Sequence, residues 1–309
     1  MRVIFMGVPE FAVPALVCLV HSEHQVIAVY TRSDKPSGRG RGISQSPVRR
    51  IAEELDLEVQ QVENFKNAVD VDNLRGLKPD VIIVASFGII LPLDVLNVAP
   101  YGCLNLHPSL LPLYRGPTPI PAAILAGDNV TGTSIMLIDG KVDSGPILAQ
   151  RRVPIEPSDT TKSLTEKLAR VSAELLMETL PGWLSSSITP RAQRHEDATY
   201  TKMINKDDGD LDWKLPAIEL WRKVRAYYPW PVGYTSWNGK AIRILKSLPQ
   251  SGQLDVTGRV LDLGGGDVGI QAGDGILKLV KVQLEGKKEM GIAEFIRGQR
   301  SFVGSLLPS

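Results

Sequence analysis

At 309 residues the chain exceeds the usual size of a single domain, and its 43% hydrophobic and 22% charged residues are those of an ordinary globular protein. This excludes a disordered or fibrous chain, and no stretch approaches the roughly 18 uninterrupted apolar residues of a membrane span. The net charge of +1 is unevenly spread: residues 1–204 hold 20 basic and 22 acidic side chains, while residues from Trp213 onward hold 14 against 8, a balance of +6 that suits a polyanion-binding face.

The chain opens on Arg2-Val3-Ile4-Phe5-Met6-Gly7, a strand pattern with no basic leader or cleavage site before it, so a cytoplasmic location is expected. Short runs rich in Val and Ile at 3–6, 26–30, 80–85 and 103–106 alternate with helical patterns, which predicts a mainly parallel, Rossmann-like sheet with helices on both faces. The first turn, Gly7-Val8-Pro9-Glu10-Phe11-Ala12, lacks the second and third glycines of a dinucleotide fingerprint, and no GxxxxGK[ST] occurs. Neither a nicotinamide nor a nucleoside triphosphate is therefore expected. Cys18 and Cys103 fall inside apolar runs, without the Cys/His spacing of a zinc site, and read as reduced core thiols. Residues 32–42, RSDKPSGRGRG, are too rich in glycine for a helix and too polar for a core, so a mobile surface loop able to bring arginines to phosphates is expected.

Runs at 133–138 and 147–153 predict a hairpin-like pair at the sheet edge. Ser158 or Asp159 can cap the helix that follows, whose Leu164, Leu168, Val171 and Leu175 step by four, three and four onto one face. Beyond Trp183 the periodicity is lost through Ser185-Ser186-Ser187, Pro190 and the polar run 191–199, which places a linker at 189–206 between domains at 1–188 and 207–309. After a helix near 216–226, the second domain reads as alternating strands at 233–237, 241–245, 258–263, 268–272 and 276–282. Turns such as Asn238-Gly239 and Gly273-Asp274-Gly275 separate them, and the pattern predicts a small β-barrel of the oligonucleotide-binding (OB-like) kind.

The chemistry concentrates in Asn105-Leu106-His107-Pro108-Ser109-Leu110-Leu111-Pro112, at the end of a predicted central strand, where open parallel sheets place their sites. Residues two apart on a strand share a face, so Asn105 and His107 look into one site while Leu106 packs the other way. Pro108 holds His107 extended and ends the strand. An amide beside an imidazole is suited to handling a carbonyl.

Residues 102–117, GCLNLHPSLLPLYRGP, resemble the signature of the formyltetrahydrofolate-dependent transferases. The resemblance implies that Asn105 and His107 bind and polarise the formyl group, and that Asp143, in the Asp143-Ser144-Gly145 end of the segment 138–145, is the third catalytic member. It implies 10-formyltetrahydrofolate as co-substrate, lying along Phe87, Gly88, Ile89, Ile90 and Leu91 and along Ser109, Leu110, Leu111 and Pro112, with no metal. Residues 205–213 (NKDDGDLDW) and 224–231 (VRAYYPWP) are similar to two motifs in the C-terminal domain of methionyl-tRNA formyltransferases, so the resemblance spans nearly the whole chain. Tyr227, Tyr228 and Trp230 are expected to pack within that domain. The glycine-rich loop resembles the insertion that in this family enters the tRNA acceptor stem, which implies tRNA contacts from Lys35, Arg39 and Arg41.

The chain departs from the family pattern at Leu113, where a basic residue is usual, and at Pro117-Thr118-Pro119-Ile120-Pro121, in place of a small-residue run ending in Gln. The function implied is formyl transfer to the amino group of initiator methionyl-tRNA for translation initiation, by direct attack through a tetrahedral oxyanion, in a monomer. Two alternatives stay open. One is a family member acting on a sugar nucleotide or another small amine, and the other is a non-catalytic RNA-binding relative.

Overall fold

The computed structural model describes residues 1–37, 42–253 and 255–309. Its internal contacts divide the chain into two compact units. The first comprises Met1–Pro119, Val130–Pro154 and Thr165–Thr201, and the second Ile120–Asn129, Ile155–Leu164 and Lys202–Ser309.

The first unit is built on strands β1 (Arg2–Gly7), β2 (Gln25–Arg32), β5 (Val59–Val62), β6 (Val81–Ala85), β7 (Cys103–His107), β8 (Val130–Leu137) and β9 (Ile147–Pro154), in the order β5-β2-β1-β6-β7-β8-β9. Pairing is parallel from β5 through β7, and β8 and β9 add on as an antiparallel edge. Ile4, Met6, Ile82 and Val84 join one core with Val71 and Leu74 of a helix, while the alternate residues Val3, Phe5, Val81 and Ile83 are buried as well. A strand buried on both sides has no polar face, which is why these runs read as unbroken hydrophobic stretches. Between β1 and β6 the strand order changes direction, and the carboxyl ends of the strands around such a point form the crevice where open α/β sheets bind ligands. His107 stands at the carboxyl end of β7, and helices α1 (Val13–Val20), α2 (Pro47–Glu54), α3 (Ala68–Gly76) and α4 (Leu93–Leu96) fill the connections before it.

Several expectations need correction. Strand β5 is absent from the predicted set because it lies at the sheet edge with Gln60 and Gln61 exposed, so it lacks a hydrophobic run. Within residues 32–42, expected as a mobile surface loop, Lys35–Ser37 forms a short strand β3 paired with β4 (Gly42–Ser44), and Arg39 and Arg41 lie outside the described residues. Cys103 is buried, and burial pushes its thiol up to about 12, but Cys18 is only half-buried and is not a core thiol. After α5 (Pro119–Ala126), helix α6 (Thr161–Leu184) does bury Leu164, Leu168 and Leu175, yet its cap is neither Ser158 nor Asp159. The Thr160 hydroxyl accepts from the Ser163 amide at 3.3 Å while the Ser163 hydroxyl accepts from the Thr160 amide at 3.0 Å. This reciprocal box begins the helix later than Asp159, whose carboxylate is taken by the Glu156 amide and the Ser163 hydroxyl.

The second unit carries β10 (Gly233–Trp237), β11 (Lys240–Gln250), β12 (Val260–Gly264), β13 (Asp267–Gln271), β14 (Ile276–Leu284) and β15 (Met290–Gly291) in one antiparallel sheet, with helices α7 (Ala217–Ala226) and α8 (Ile292–Gly298). The Rossmann-like sheet followed by a small antiparallel β domain is the fold class the sequence predicts. Asn238 and Gly239 both take positive φ (50° and 69°), the left-handed pair that closes a two-residue hairpin with the twist of its strands. Trp237, Phe295 and Phe302 meet edge to face at the centre of the core, with Trp237 and Phe302 ring centroids 5.2 Å apart. Tyr227 is buried as expected, but Trp230 is 58% exposed and does not pack.

Candidate functional site

Three predicted residues come together at the carboxyl end of β7. Asn105 and His107 alternate on β7 with Leu106 between them, and the β8–β9 connection brings Asp143 across. The Asn105 Nδ2 donates to Asp143 Oδ1 at 3.3 Å, and His107 Nδ1 lies 3.7 Å from Asp143 Oδ2. A carboxylate only accepts, so the Asn105 atom turned to it is the amide nitrogen, and that nitrogen keeps a second N–H to offer elsewhere. His107 is 4% exposed, with its Nε2 3.0 Å from the Tyr114 carbonyl oxygen. A carbonyl also only accepts, which puts a proton on Nε2 and leaves Nδ1 as the nitrogen facing the carboxylate.

Asp143 is held in an unusual backbone conformation, φ 47°, which for a residue with a Cβ costs on the order of 1–3 kcal/mol. Its Oδ2 accepts from the Gly116 amide at 2.8 Å. Within the same connection Asp139 accepts from the Ser144 hydroxyl at 2.8 Å and the Lys141 amide at 3.1 Å, so Asp139 shapes the turn while Asp143 is the member turned to the site. Gly145 permits the turn: a Cβ there would lie 1.9 Å from the Leu137 carbonyl oxygen, a backbone atom with no freedom to swing aside. Gly145→Ala is therefore expected to displace Asp143 and lower turnover, with a stability loss of about 1–3 kcal/mol. Measuring kcat beside a thermal melt checks this, and wild-type values in both would show that the turn absorbs a methyl.

The residues expected along a folate are placed in two ways. In the turn after β7, the Ser109 hydroxyl donates to the Leu113 carbonyl at 2.6 Å, and the Ser134 hydroxyl donates to the Ser109 carbonyl at 2.7 Å and accepts from the Leu111 amide at 3.1 Å. Gln150 donates to the Leu111 carbonyl at 2.9 Å, and the Leu111 side chain packs on Met136 and Ile147. The turn that carries Leu110 and Pro112 is thus rigid, with the Ser109 hydroxyl spent inside it. After β6, Phe87 and Leu91 are buried in the core, whereas Gly88 is exposed with φ 71°, Ile89 is half-buried and Ile90 is 86% exposed. Side chains at 87 and 91 thus shape the segment, and positions 88–90 present it.

Sequence reasoning missed four groups: the Tyr114 carbonyl, the Gly116 amide, Arg115 and Gln193. The first three lie inside the RGP-containing signature, but a backbone group leaves no mark in a residue pattern. Gln193 belongs to the polar run expected as linker, and the stretch 191–201 is instead bound to the first unit. Arg115 pairs with Tyr200 as an isolated parallel bridge, and Ile147 exchanges backbone bonds with Arg191. Among the described residues no group of three or more His, Cys, Asp or Glu could hold a metal ion, and no helix is long and apolar enough to cross a membrane.

An amide donor, an imidazole and a carboxylate meet around one point at the carboxyl end of a strand of the α/β sheet. The family model described as formyl transferase matches residues 1–180, and that of the formyl transferase C-terminal domain matches residues 203–300. A methionyl-tRNA formyltransferase of Chloroflexus aurantiacus is 45% identical over 300 residues, 96% of this chain and 97% of the relative. One of Dehalococcoides mccartyi is 42% identical over 305 residues, 98% of this chain and 97% of the relative. The chain belongs to the formyltransferase family and is an enzyme. Among solved structures, an N-formyltransferase from Helicobacter canadensis in complex with folinic acid and dTDP-3-aminofucose matches 94% of this chain and 100% of its own, with TM-score 0.68 at 18% identity. HypX from Aquifex aeolicus in complex with tetrahydrofolic acid matches 98% of this chain and 48% of its own, with TM-score 0.63 at 18% identity. At these identities the likeness is one of fold.

Proposed function

We propose that the enzyme transfers the formyl group of 10-formyltetrahydrofolate to the amino group of initiator methionyl-tRNA, with the first unit carrying the chemistry and residues 207–309 meeting the RNA. The observation that carries this reading is the convergence of Asn105, His107 and Asp143 in a chain that resembles methionyl-tRNA formyltransferases along both its domains. The same reading makes the protein a cytoplasmic monomer.

The donor set fits a formyl group, whose single oxygen needs hydrogen-bond donors and whose transfer needs a proton carrier. The folate supplies an activated formyl carbon. Asn105 offers the N–H not spent on Asp143 to the formyl oxygen, on which negative charge develops as the aminoacyl nitrogen attacks. His107 Nδ1 is the one ring nitrogen not committed to the Tyr114 carbonyl, so it takes the proton that the attacking amine sheds and returns it to the departing folate nitrogen. Nδ1 lies 3.7 Å from Asp143 Oδ2, so a positive charge gained there is stabilised by the carboxylate. No serine or cysteine nucleophile is needed. Segments 87–91 and 109–112 are the proposed folate contacts.

For the RNA, Arg243 and Lys246 are exposed on β11 and are proposed phosphate contacts. Lys35, at the start of β3, is a further proposed contact, together with Arg39 and Arg41. Labelled formyl from 10-formyltetrahydrofolate is expected on charged initiator tRNA and not on uncharged tRNA; label on neither sinks the reading. The apparent affinity for tRNA should also fall about threefold per phosphate contact between roughly 50 and 200 mM salt. An affinity indifferent to salt would exclude the basic face.

A further inference from the structure

Gln193 and Arg115 form a buried device outside the three central side chains. Arg115 is 1% exposed, among the most deeply buried large side chains in the molecule. Its guanidinium donates through Nε and Nη2 to Gln193 Oε1 at 3.1 and 2.7 Å, and through Nη1 to the Tyr200 hydroxyl and to His195 Nδ1, each at 3.2 Å. These partners are neutral, and a buried cation among neutral partners is costly to keep. The two guanidinium bonds fix which way the Gln193 amide faces, since the oxygen must point at Arg115. Its nitrogen then points the other way, and both N–H groups are spent on the turn that carries Asp143: one on the Asp143 carbonyl at 3.0 Å and one on the Gly145 carbonyl at 2.7 Å. The neighbours of Arg115 complete the frame, because the Tyr114 carbonyl holds the His107 ring and the Gly116 amide holds the Asp143 carboxylate.

We infer that Gln193, locked by Arg115, is a positioning residue that holds the left-handed Asp143 turn so that the carboxylate meets Asn105 and His107. Asp143 adopts φ 47° against its own preference, and Gln193 clamps that turn through the backbone carbonyls of Asp143 and Gly145. The clamp explains why a polar run without periodicity is tied to the first unit: its one buried polar side chain is the one that grips the site. The inference rests on the proposed function, because its readout is formyl transfer.

Two variants test it. Gln193→Ala removes both halves of the clamp. Gln193→Glu keeps the acceptor for Arg115, now as an ion pair, but turns an oxygen in place of the donor onto the Asp143 and Gly145 carbonyls. Both are expected to lower kcat by about 100-fold, the cost of a misplacement near 1 Å, with the KM values for folate and tRNA unchanged. Gln193→Glu should melt close to wild type, which separates the effect from loss of fold. Wild-type kcat in either folded variant overturns the inference, as does loss of the folded state in both, since the pair would then be structural only. A wild-type enzyme unable to move formyl would instead sink the proposed function, so the two failures are distinguishable.

Discussion

His107→Ala is expected to lower kcat by about 100- to 10,000-fold, the range that a positioned proton carrier contributes. The expectation follows from how the ring is held. Nε2 faces the Tyr114 carbonyl at 3.0 Å, so it is occupied by a group that cannot give up a proton, and only Nδ1 is left for proton traffic. Alanine removes that nitrogen and the charge it carries in the reaction, while β7, paired on both sides through Leu104 and Leu106, does not depend on the ring. The KM for folate should therefore change little. Single-turnover formyl transfer by the variant, with a melt to verify folding, decides the matter, and an unchanged rate removes His107 from the mechanism.

Asn105→Ala is the second large effect, about 100- to 1,000-fold in kcat, which is the usual cost of losing one donor to a developing oxyanion. The alanine also frees Asp143 Oδ1, which accepts from Asn105 at 3.3 Å, so part of the loss will come from a carboxylate no longer held on that side. Asn105→Asp separates the two contributions. It preserves the shape but places two carboxylates in contact, one of which must hold a proton to remain there. The protonated form restores a donor, so the residual activity of Asn105→Asp is expected to rise as pH falls and to vanish as pH rises through the shared titration. A pH profile parallel to wild type would show that the contact between positions 105 and 143 is unimportant in the working enzyme.

Much of this was readable one residue at a time. The alternation of Asn105 and His107 on a strand ended by Pro108 states which way both side chains look, and the buried strands β1 and β6 announce themselves because a doubly covered strand is hydrophobic throughout. Asn238-Gly239 declares its hairpin since few other pairs tolerate two positive φ values. By contrast, nothing local marks Thr160 rather than Asp159 as the helix cap, because both carry an oxygen and only the return bond from Ser163 decides between them. Trp230 shows the same limit: an aromatic side chain reads as core until the fold leaves it exposed.

What the sequence determined by itself is the set of groups: the alternating strands of an α/β sheet, an amide and an imidazole on one face of β7, and an Asp-Ser-Gly turn whose carboxylate a family resemblance singles out. Those follow from chain-local physics, the period of a strand and the stereochemistry of proline and glycine. Only the tertiary structure decided which atoms meet. The Tyr114 carbonyl selects Nδ1 of His107, the Gly116 amide and Asn105 fix the two oxygens of Asp143, and Gln193 arrives from a segment 50 residues away to clamp the Asp143 turn. Backbone donors and acceptors are the same at every position in a sequence, and folding alone gives them a direction.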